Sequence, residues 1–97
     1  MKLSDLFYKS SFWDVDMDRL DIEKDADFII PRVLEMNMGR EKYFQNLEKL
    51  YPIDQIKHYA LQSREIWGNE NIDAISKRYG LNPLDFPKYI PNIKQYD

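Results

Sequence analysis

The stretch from Arg40 to Tyr51 constrains the fold of this chain most, because its apolar residues recur at the spacing of an α-helix. One stripe contains Tyr43, Phe44, Leu47, Leu50 and Tyr51. Charged and amide side chains occupy most of the positions between them, which is the pattern of a helix with one buried face. The sequence therefore predicts an amphipathic helix here, and no segment of the chain alternates in the way of a half-buried strand.

The segment that follows Asp21 also predicts a helix, with Asp21 as its cap. Pro31 lies inside this segment, and a proline ring removes one helical hydrogen bond and clashes with the preceding turn. We therefore expect a kink or a break at Pro31. Asn37 or Gly39 is expected to end the helix in a left-handed conformation.

Two later segments show the same periodicity. Pro52 suits the first position of a helix that should run to about Gln62. A further apolar stripe follows Gly68 and ends at Gly80, in the position of a C-terminal cap. Together these signals predict an all-α fold, a compact bundle of about five short helices with a helix-turn-helix-like C-terminal half.

The chain has 97 residues, which suffice for one hydrophobic core and not for two. Its charge is uneven, because residues 1–38 carry a net charge of −4 and the remainder a net charge of +1. We therefore expect a single domain over residues 1–97. Its expected parts are an acidic N-terminal arm (1–22), a helical core (23–90) and a tail (91–97).

The chain contains no cysteine, which excludes a disulfide scaffold, a thiol nucleophile and zinc sites that need thiolate. A reducing compartment suits such a composition. The first residues lack the continuous apolar stretch of a signal peptide, and the aliphatic run at 28–30 is too short to span a bilayer. We therefore expect a cytoplasmic protein with no membrane contact.

Asp14, Asp16, Asp18 and Asp25 imitate the acidic spacing of a calcium-binding loop. The sixth position of such a loop needs glycine for its sharp turn and holds Arg19 here, and the twelfth is aspartate where glutamate is usual. A solvated acidic turn that caps a helix is the simpler interpretation. We expect neither a metal ion nor another cofactor.

His58 is the only histidine, and it lies within a helical pattern. A single histidine lacks the second ligand or the nucleophile that would make it part of a catalytic group. The sequence also has no glycine-rich phosphate loop, serine-centred elbow or HExxH spacing. We therefore expect a protein that is not an enzyme.

Residues 71–84 are similar to the opening of a helix-turn-helix, with an apolar helix, a glycine at the turn and a second helix start. In this interpretation Lys77 and Arg78 face DNA phosphates. Pro87 would cut the second helix at one turn, and a helix that reads DNA needs greater length. The alternative is an ordinary core helix that ends at a glycine cap.

Trp13 and Trp67 each adjoin a predicted break. Either they cover the ends of the small core, or they are exposed and anchor a protein partner, since Trp, Tyr and Arg dominate the energetics of interfaces. The candidate partner-binding residues are Phe12, Trp13, Asp14, Asp16, Arg32, Arg64 and Trp67.

Three blocks of the sequence carry a family resemblance, namely FWDxD at 12–16, LD at 20–21 and FIIxRVLE at 28–35, and weaker matches follow at 63–64 and 79–83. In these residues the chain resembles a poorly characterised family of small bacterial antitoxin-like proteins, often found beside nucleotidyltransferase-like toxins. That family usually has glycine after its glutamate-containing helix, where this chain has Asn37.

The resemblance implies a helical fold with no catalytic residues to carry over. The leading hypothesis is a non-enzymatic protein-binding module, the antitoxin-like partner of a nucleotidyltransferase-type toxin. In it, the acidic N-terminal block covers a basic cleft of the toxin. The alternative is a small helix-turn-helix-like transcriptional regulator that binds DNA through Lys77 and Arg78.

Overall fold

The computed structural model describes residues 2–91 and contains five α-helices and three short 3-10 helices in that range. The α-helices are α1 (Leu3–Leu6), α2 (Ala26–Glu35), α3 (Glu41–Leu50), α4 (Ile53–Gln62) and α5 (Asn69–Tyr79). The 3-10 helices are Lys9–Phe12, Met17–Arg19 and Pro83–Asp85. The predicted all-α bundle of about five helices is confirmed, and residues 2–91 contain no strand. None of the helices described is both long enough and apolar enough to cross a membrane.

Helix α2 is the central element, because it packs against α3, α4 and the first 3-10 helix. Its buried side chains are Ala26, Ile29, Ile30, Pro31, Val33 and Leu34. The helix continues through Pro31 without the break that was one of the two expectations. The proline leaves the Asp27 carbonyl without its helical hydrogen-bond partner. The helix tolerates this loss because Asp27 is exposed, so water can bind the carbonyl instead.

Helix α2 begins at Ala26, so the prediction of a helix start near Asp21 is wrong. The Asp21 carboxylate accepts hydrogen bonds from the N–H groups of Glu23 and Lys24 at 2.9 and 2.8 Å. The Asp25 carboxylate in turn accepts one from the Asp21 N–H at 2.7 Å. These bonds hold a separate turn ahead of the helix, because aspartate side chains compete for backbone donors.

The turn after α2 places Met38 and Gly39 in left-handed conformations, with φ of 51° and 76°. Of the two alternatives that the sequence left open, Asn37 or Gly39, the structure has Gly39, and the φ of Asn37 is not positive. Asn37 acts through its side chain instead. Its Nδ2 donates to the Leu34 carbonyl at the helix end, and its Oδ1 accepts from the Gly39 N–H at 2.8 Å.

The segment expected to be an acidic arm packs into the hydrophobic core. Its buried residues there are Leu3, Phe7, Phe12 and Met17. Tyr43 of α3 also holds it, because the Tyr43 hydroxyl accepts from the Tyr8 N–H at 3.0 Å and shares a hydrogen bond with the Ser11 hydroxyl at 2.7 Å. The core therefore does not begin at residue 23. The expected tail at 91–97 lies outside the described residues, apart from Pro91.

Helix α5 ends at Tyr79 and is capped by Gly80, which adopts a left-handed conformation with φ of 66°. The Leu81 N–H donates to the Ser76 carbonyl at 2.9 Å, a bond typical of a glycine-capped helix end. The element that follows is the 3-10 helix Pro83–Asp85, only three residues long. Up to residue 91, the turn therefore has no second α-helix long enough to lie in a DNA groove.

Candidate protein-binding face

Trp13 and Trp67 are both strongly exposed, with 76% and 66% of their surface accessible. The sequence left open whether these tryptophans cover the core or are exposed, and both are exposed. Large aromatic side chains usually bury most of their surface. The loops that carry the two exposed indoles are therefore candidates for a binding surface.

Arg32 of α2 contacts both of these loops. Its guanidinium donates two hydrogen bonds to the Asp14 carboxylate, at 2.6 and 2.9 Å, next to Trp13. The same group lies 3.9 Å from the Glu65 carboxylate in the loop that leads to Trp67. Only 11% of the Arg32 side chain is exposed, so this bidentate pair is well shielded on the arginine side.

Glu35 lies three residues after Arg32 and therefore on the same side of α2. Its carboxylate accepts a hydrogen bond from the backbone N–H of Trp67 at 3.0 Å. Burial raises the pKa of the Glu35 carboxyl, and the Glu65 carboxylate raises it further, against a lowering by the Trp67 N–H. One side of α2 thus fixes two loops, each with an exposed tryptophan. We call this surface the two-tryptophan face and define it as Trp13, Asp14, Arg32, Glu35, Glu65 and Trp67.

The two-tryptophan face is acidic in character. The hydrogen bond from Arg32 holds the pKa of Asp14 below its ordinary value, so the carboxylate stays ionised beside its partner. Glu35 and Glu65 add two carboxylates next to that pair. Arg64 is exposed in the same loop as Glu65. Asp16 accepts from the Asp18 N–H at 3.1 Å, so it caps its own 3-10 helix.

A groove of about 490 Å³ adjoins Trp67, between the end of α2 and the start of α5. Its charged lining residues are Glu35 and Glu70. Met38 lines it as well and is 75% exposed. Sequence reasoning missed Glu35, Met38 and Glu70 as candidates. The glycine turn at 39 was the one available signal, since a left-handed turn redirects the chain immediately beside Met38.

Phe12 does not belong to the exposed surface, because only 1% of it is accessible. Its ring packs against Phe7 and Phe28, with centroid separations of 6.4 Å to each. The 3-10 helix ends at Phe12 and turns this residue inward, while the next residue, Trp13, is left outside. Phe12 is therefore a core residue, which corrects its selection as a partner-binding residue.

Arg78 is engaged within the protein, whereas Lys77 beside it is exposed. Arg78 donates two hydrogen bonds to the Glu48 carboxylate, at 2.7 and 2.9 Å, and one to Glu41 at 2.5 Å. The Tyr79 hydroxyl donates to the same Glu48 carboxylate at 2.8 Å. These carboxylates raise the pKa of Arg78, and Arg78 lowers that of Glu48. The arrangement ties α5 to α3, so a contact from Arg78 to phosphate would have to compete with it.

Within residues 2–91, no three side chains among His, Cys, Asp and Glu are grouped to hold a metal ion. In the aspartate series, Asp14 pairs with Arg32, and Asp25 binds the backbone of Asp21. His58 is exposed on α4, with its ring edge against Tyr59 at a centroid separation of 5.0 Å.

The model of a protein family described as "Family of unknown function (DUF6922)" matches residues 7–60, which is more than half of the chain. The chain therefore belongs to this family. The matched region contains Trp13, Asp14, Arg32 and Glu35 of the two-tryptophan face and ends before Glu65 and Trp67. No curated protein and no solved structure matches the chain.

Proposed function

We propose that this member of the family is a non-enzymatic protein-binding module that docks on its partner through the two-tryptophan face. The observation that carries the proposal is the exposure of both Trp13 and Trp67 on loops held by one side of α2. Tryptophan and arginine are the residues that contribute most often to the affinity of protein interfaces. Covering the two indoles removes a large apolar area from water and favours association.

The way in which the loops are held supports the same proposal. The bidentate pair of Arg32 with Asp14 fixes the backbone next to the Trp13 indole. The hydrogen bond from the backbone N–H of Trp67 to Glu35 does the same next to the Trp67 indole. A surface whose backbone is already ordered loses less conformational entropy when a partner binds. The exposed indoles therefore stand on a preorganised surface.

For the class of partner we propose a nucleotidyltransferase-type toxin, with this chain as its antitoxin-like partner. The support is the sequence resemblance in the blocks 12–16 and 28–35, together with the acidic character of the face. A face rich in carboxylates complements a basic cleft that binds nucleotides or RNA. We place this interaction in the cytoplasm, because a chain free of cysteine suits a reducing compartment.

Co-expression with the product of the adjacent gene tests the proposal. The two proteins should elute together in gel filtration at low salt, and the double variant Trp13→Ala, Trp67→Ala should elute separately. Leu84→Ala is the matched control, because Leu84 is also exposed but lies beyond the opposite end of α5 from Trp67. Separate elution of the unaltered proteins contradicts the proposal, and so does an equal loss of binding in the control.

A further inference from the structure

The groove beside Trp67 is lined on two sides by exposed apolar side chains. Trp67 forms one wall and Met38 the other, and both are among the most exposed large apolar residues of the described chain. Met38 adopts a left-handed backbone conformation, which is uncommon for any residue other than glycine, asparagine or aspartate. Strained backbone of this kind persists only where the surroundings impose it.

The side-chain amide of Asn37 holds the backbone on both sides of Met38. Asn37 is only 3% exposed, and its Nδ2 donates to the Leu34 carbonyl and to the Asn71 side chain, the latter at 2.8 Å. Its Oδ1 accepts from the Gly39 N–H on the other side of Met38. Asn71 of α5 also donates to the Leu34 carbonyl at 3.2 Å. The backbone that carries Met38 is therefore fixed to the end of α2 and to the first turn of α5.

Among residues 2–91, the charged side chains that line the groove are acidic. Glu35 and Glu70 line it, and no lysine or arginine of that range does. Glu65 stands close enough to Glu35 to raise the pKa of that carboxyl, which adds to the effect of burial. Glu70 lies in the first turn of α5, where it offsets the partial positive charge of the helix N-terminus. The groove therefore attracts a cation.

We infer that this groove receives an arginine side chain from the partner's docking segment, with an apolar residue beside it. The planar guanidinium stacks on the Trp67 indole and pairs with the carboxylates of Glu35 and Glu70, and the apolar neighbour contacts Met38. Arginine suits the site better than lysine, because its guanidinium is planar, weakly hydrated and able to bind a carboxylate through two hydrogen bonds. This inference rests on the proposed function, since it names what the partner presents to one end of the two-tryptophan face.

A pair of synthetic peptides tests the inference without knowledge of the partner. The first is a blocked peptide of alternating leucine and arginine, and the second replaces each arginine with citrulline, which has the same shape and no charge. Trp13→Phe makes Trp67 the sole tryptophan, so its fluorescence reports occupation of the groove. The arginine peptide should produce a saturable change, and the citrulline peptide should bind at least about tenfold more weakly, a ratio that corresponds to about 1.4 kcal/mol.

Charge-neutral variants locate the binding. In the same background, Glu35→Gln with Glu70→Gln should weaken the arginine peptide about tenfold, because both carboxylates face the groove. Glutamine at position 35 keeps an oxygen that can accept the hydrogen bond from the backbone N–H of Trp67. Thermal unfolding of the variant checks that it folds. Glu23→Gln is the control, because it makes the same glutamate-to-glutamine change at one position away from the groove. Glu23 is exposed and precedes the start of α2, whereas the groove lies at the end of α2.

Equal affinity for the two peptides, no binding of either, or an equal loss in Glu23→Gln overturns the inference. Co-elution with the natural partner separates this failure from that of the proposed function. If the partner co-elutes and requires the two tryptophans while the arginine peptide fails to bind, the groove inference is wrong and the proposed function stands. If the arginine peptide binds as expected and no partner co-elutes, the proposed function is wrong and the groove remains an arginine site.

Discussion

Arg32 donates hydrogen bonds from both terminal nitrogens of its guanidinium to the carboxylate of Asp14, eighteen residues earlier in the chain, at 2.6 and 2.9 Å. The pair joins the sequence blocks 12–16 and 28–35, which lie within the region matched by the family model. Its structural consequence is that the loop with Trp13 is fixed to α2. The same side of α2 holds the loop with Trp67 through Glu35.

Replacement of Arg32 by alanine should release the Trp13 loop and lower the thermal stability. The loop would lose its bidentate partner and the bond from Arg32 to the Ser11 carbonyl at 3.4 Å. Hydrogen exchange measured by mass spectrometry should accelerate in residues 12–16 and change little in α5. Arg19→Ala is the control, because Arg19 is exposed and its ion pair with Asp16, at 3.6 Å, is solvated. Unchanged exchange in the loop would show that the pair does not hold it.

Arg78→Ala should lower the free energy of unfolding by about 2 kcal/mol, because it removes charge-assisted hydrogen bonds between α5 and α3. A larger loss is not expected, since about a quarter of the Arg78 and Glu48 side chains is exposed and solvent screens the pair. Lys77→Ala should change stability by no more than about 0.5 kcal/mol, because Lys77 is exposed. Urea unfolding of the two variants measures the difference, and equal effects would contradict the assigned role of Arg78.

The same two positions also test the DNA-binding alternative. If the chain binds DNA through α5, its own promoter fragment should be retarded at low salt, and Lys77→Ala should weaken that binding, with a reduced dependence on salt. We expect unchanged DNA mobility, because Arg78 is paired with Glu48 and Glu41 and the described chain after Gly80 has no second α-helix. Salt-dependent retardation that Lys77→Ala weakens would favour the regulator.

Glu35→Gln should stabilise the protein at neutral pH. Burial raises the pKa of Glu35 above its ordinary value of 4.5, so the folded state holds this proton more tightly than the unfolded state does. Well below pH 4.5 the carboxyl is protonated in both states and costs the folded state nothing. The cost grows as pH rises through the folded-state pKa, and glutamine avoids it.

Chemical unfolding at several pH values checks this expectation. The gain in stability from Glu35→Gln should be present at neutral pH and fade toward zero below pH 4.5. Glu23→Gln, at an exposed position, should show no such dependence. A Glu35→Gln protein that is less stable than the unaltered chain at neutral pH would contradict the cost assigned to this carboxyl.

Asn37→Ala should lower the free energy of unfolding by about 2 kcal/mol, because it removes three hydrogen bonds made by a buried side chain. The partners in those bonds are the Leu34 carbonyl, the Gly39 N–H and the Asn71 side chain. Gln45→Ala removes an exposed amide from α3 and should have an effect within about 0.5 kcal/mol. If thermal or urea unfolding finds the two variants equally stable, the amide network does not hold the Met38 wall.

Helices α3, α4 and α5 could be predicted from the sequence, because each carries an apolar stripe at helical spacing and a glycine or proline near an end. The packed N-terminal segment could not. Leu3, Phe12 and Met17 lie in one short α-helix and two 3-10 helices, and Phe7 lies between the first two of these elements. The 3-10 helices repeat at about three residues per turn, so no single helical period extends across the segment.

The site was predictable only in part, for a related reason. Phe12 and Trp13 are adjacent aromatics, and Lys77 and Arg78 are adjacent cations, yet in each pair one side chain is engaged within the protein and the other is exposed. The difference is decided by partners far away in the chain. Arg78 meets Glu48 thirty residues earlier, and such a pairing leaves no local signal in a single sequence.

The central claim, that a protein partner covers both tryptophans, is tested most directly by fluorine NMR. The chain is labelled with 5-fluorotryptophan and the partner is left unlabelled, and Trp13→Phe assigns the two resonances. In the free chain both resonances should shift between H₂O and D₂O, because both indoles are exposed. In the complex with the co-expressed partner, both solvent shifts should largely disappear. Two resonances that keep their full solvent shift in a complex of confirmed stoichiometry would contradict the claim.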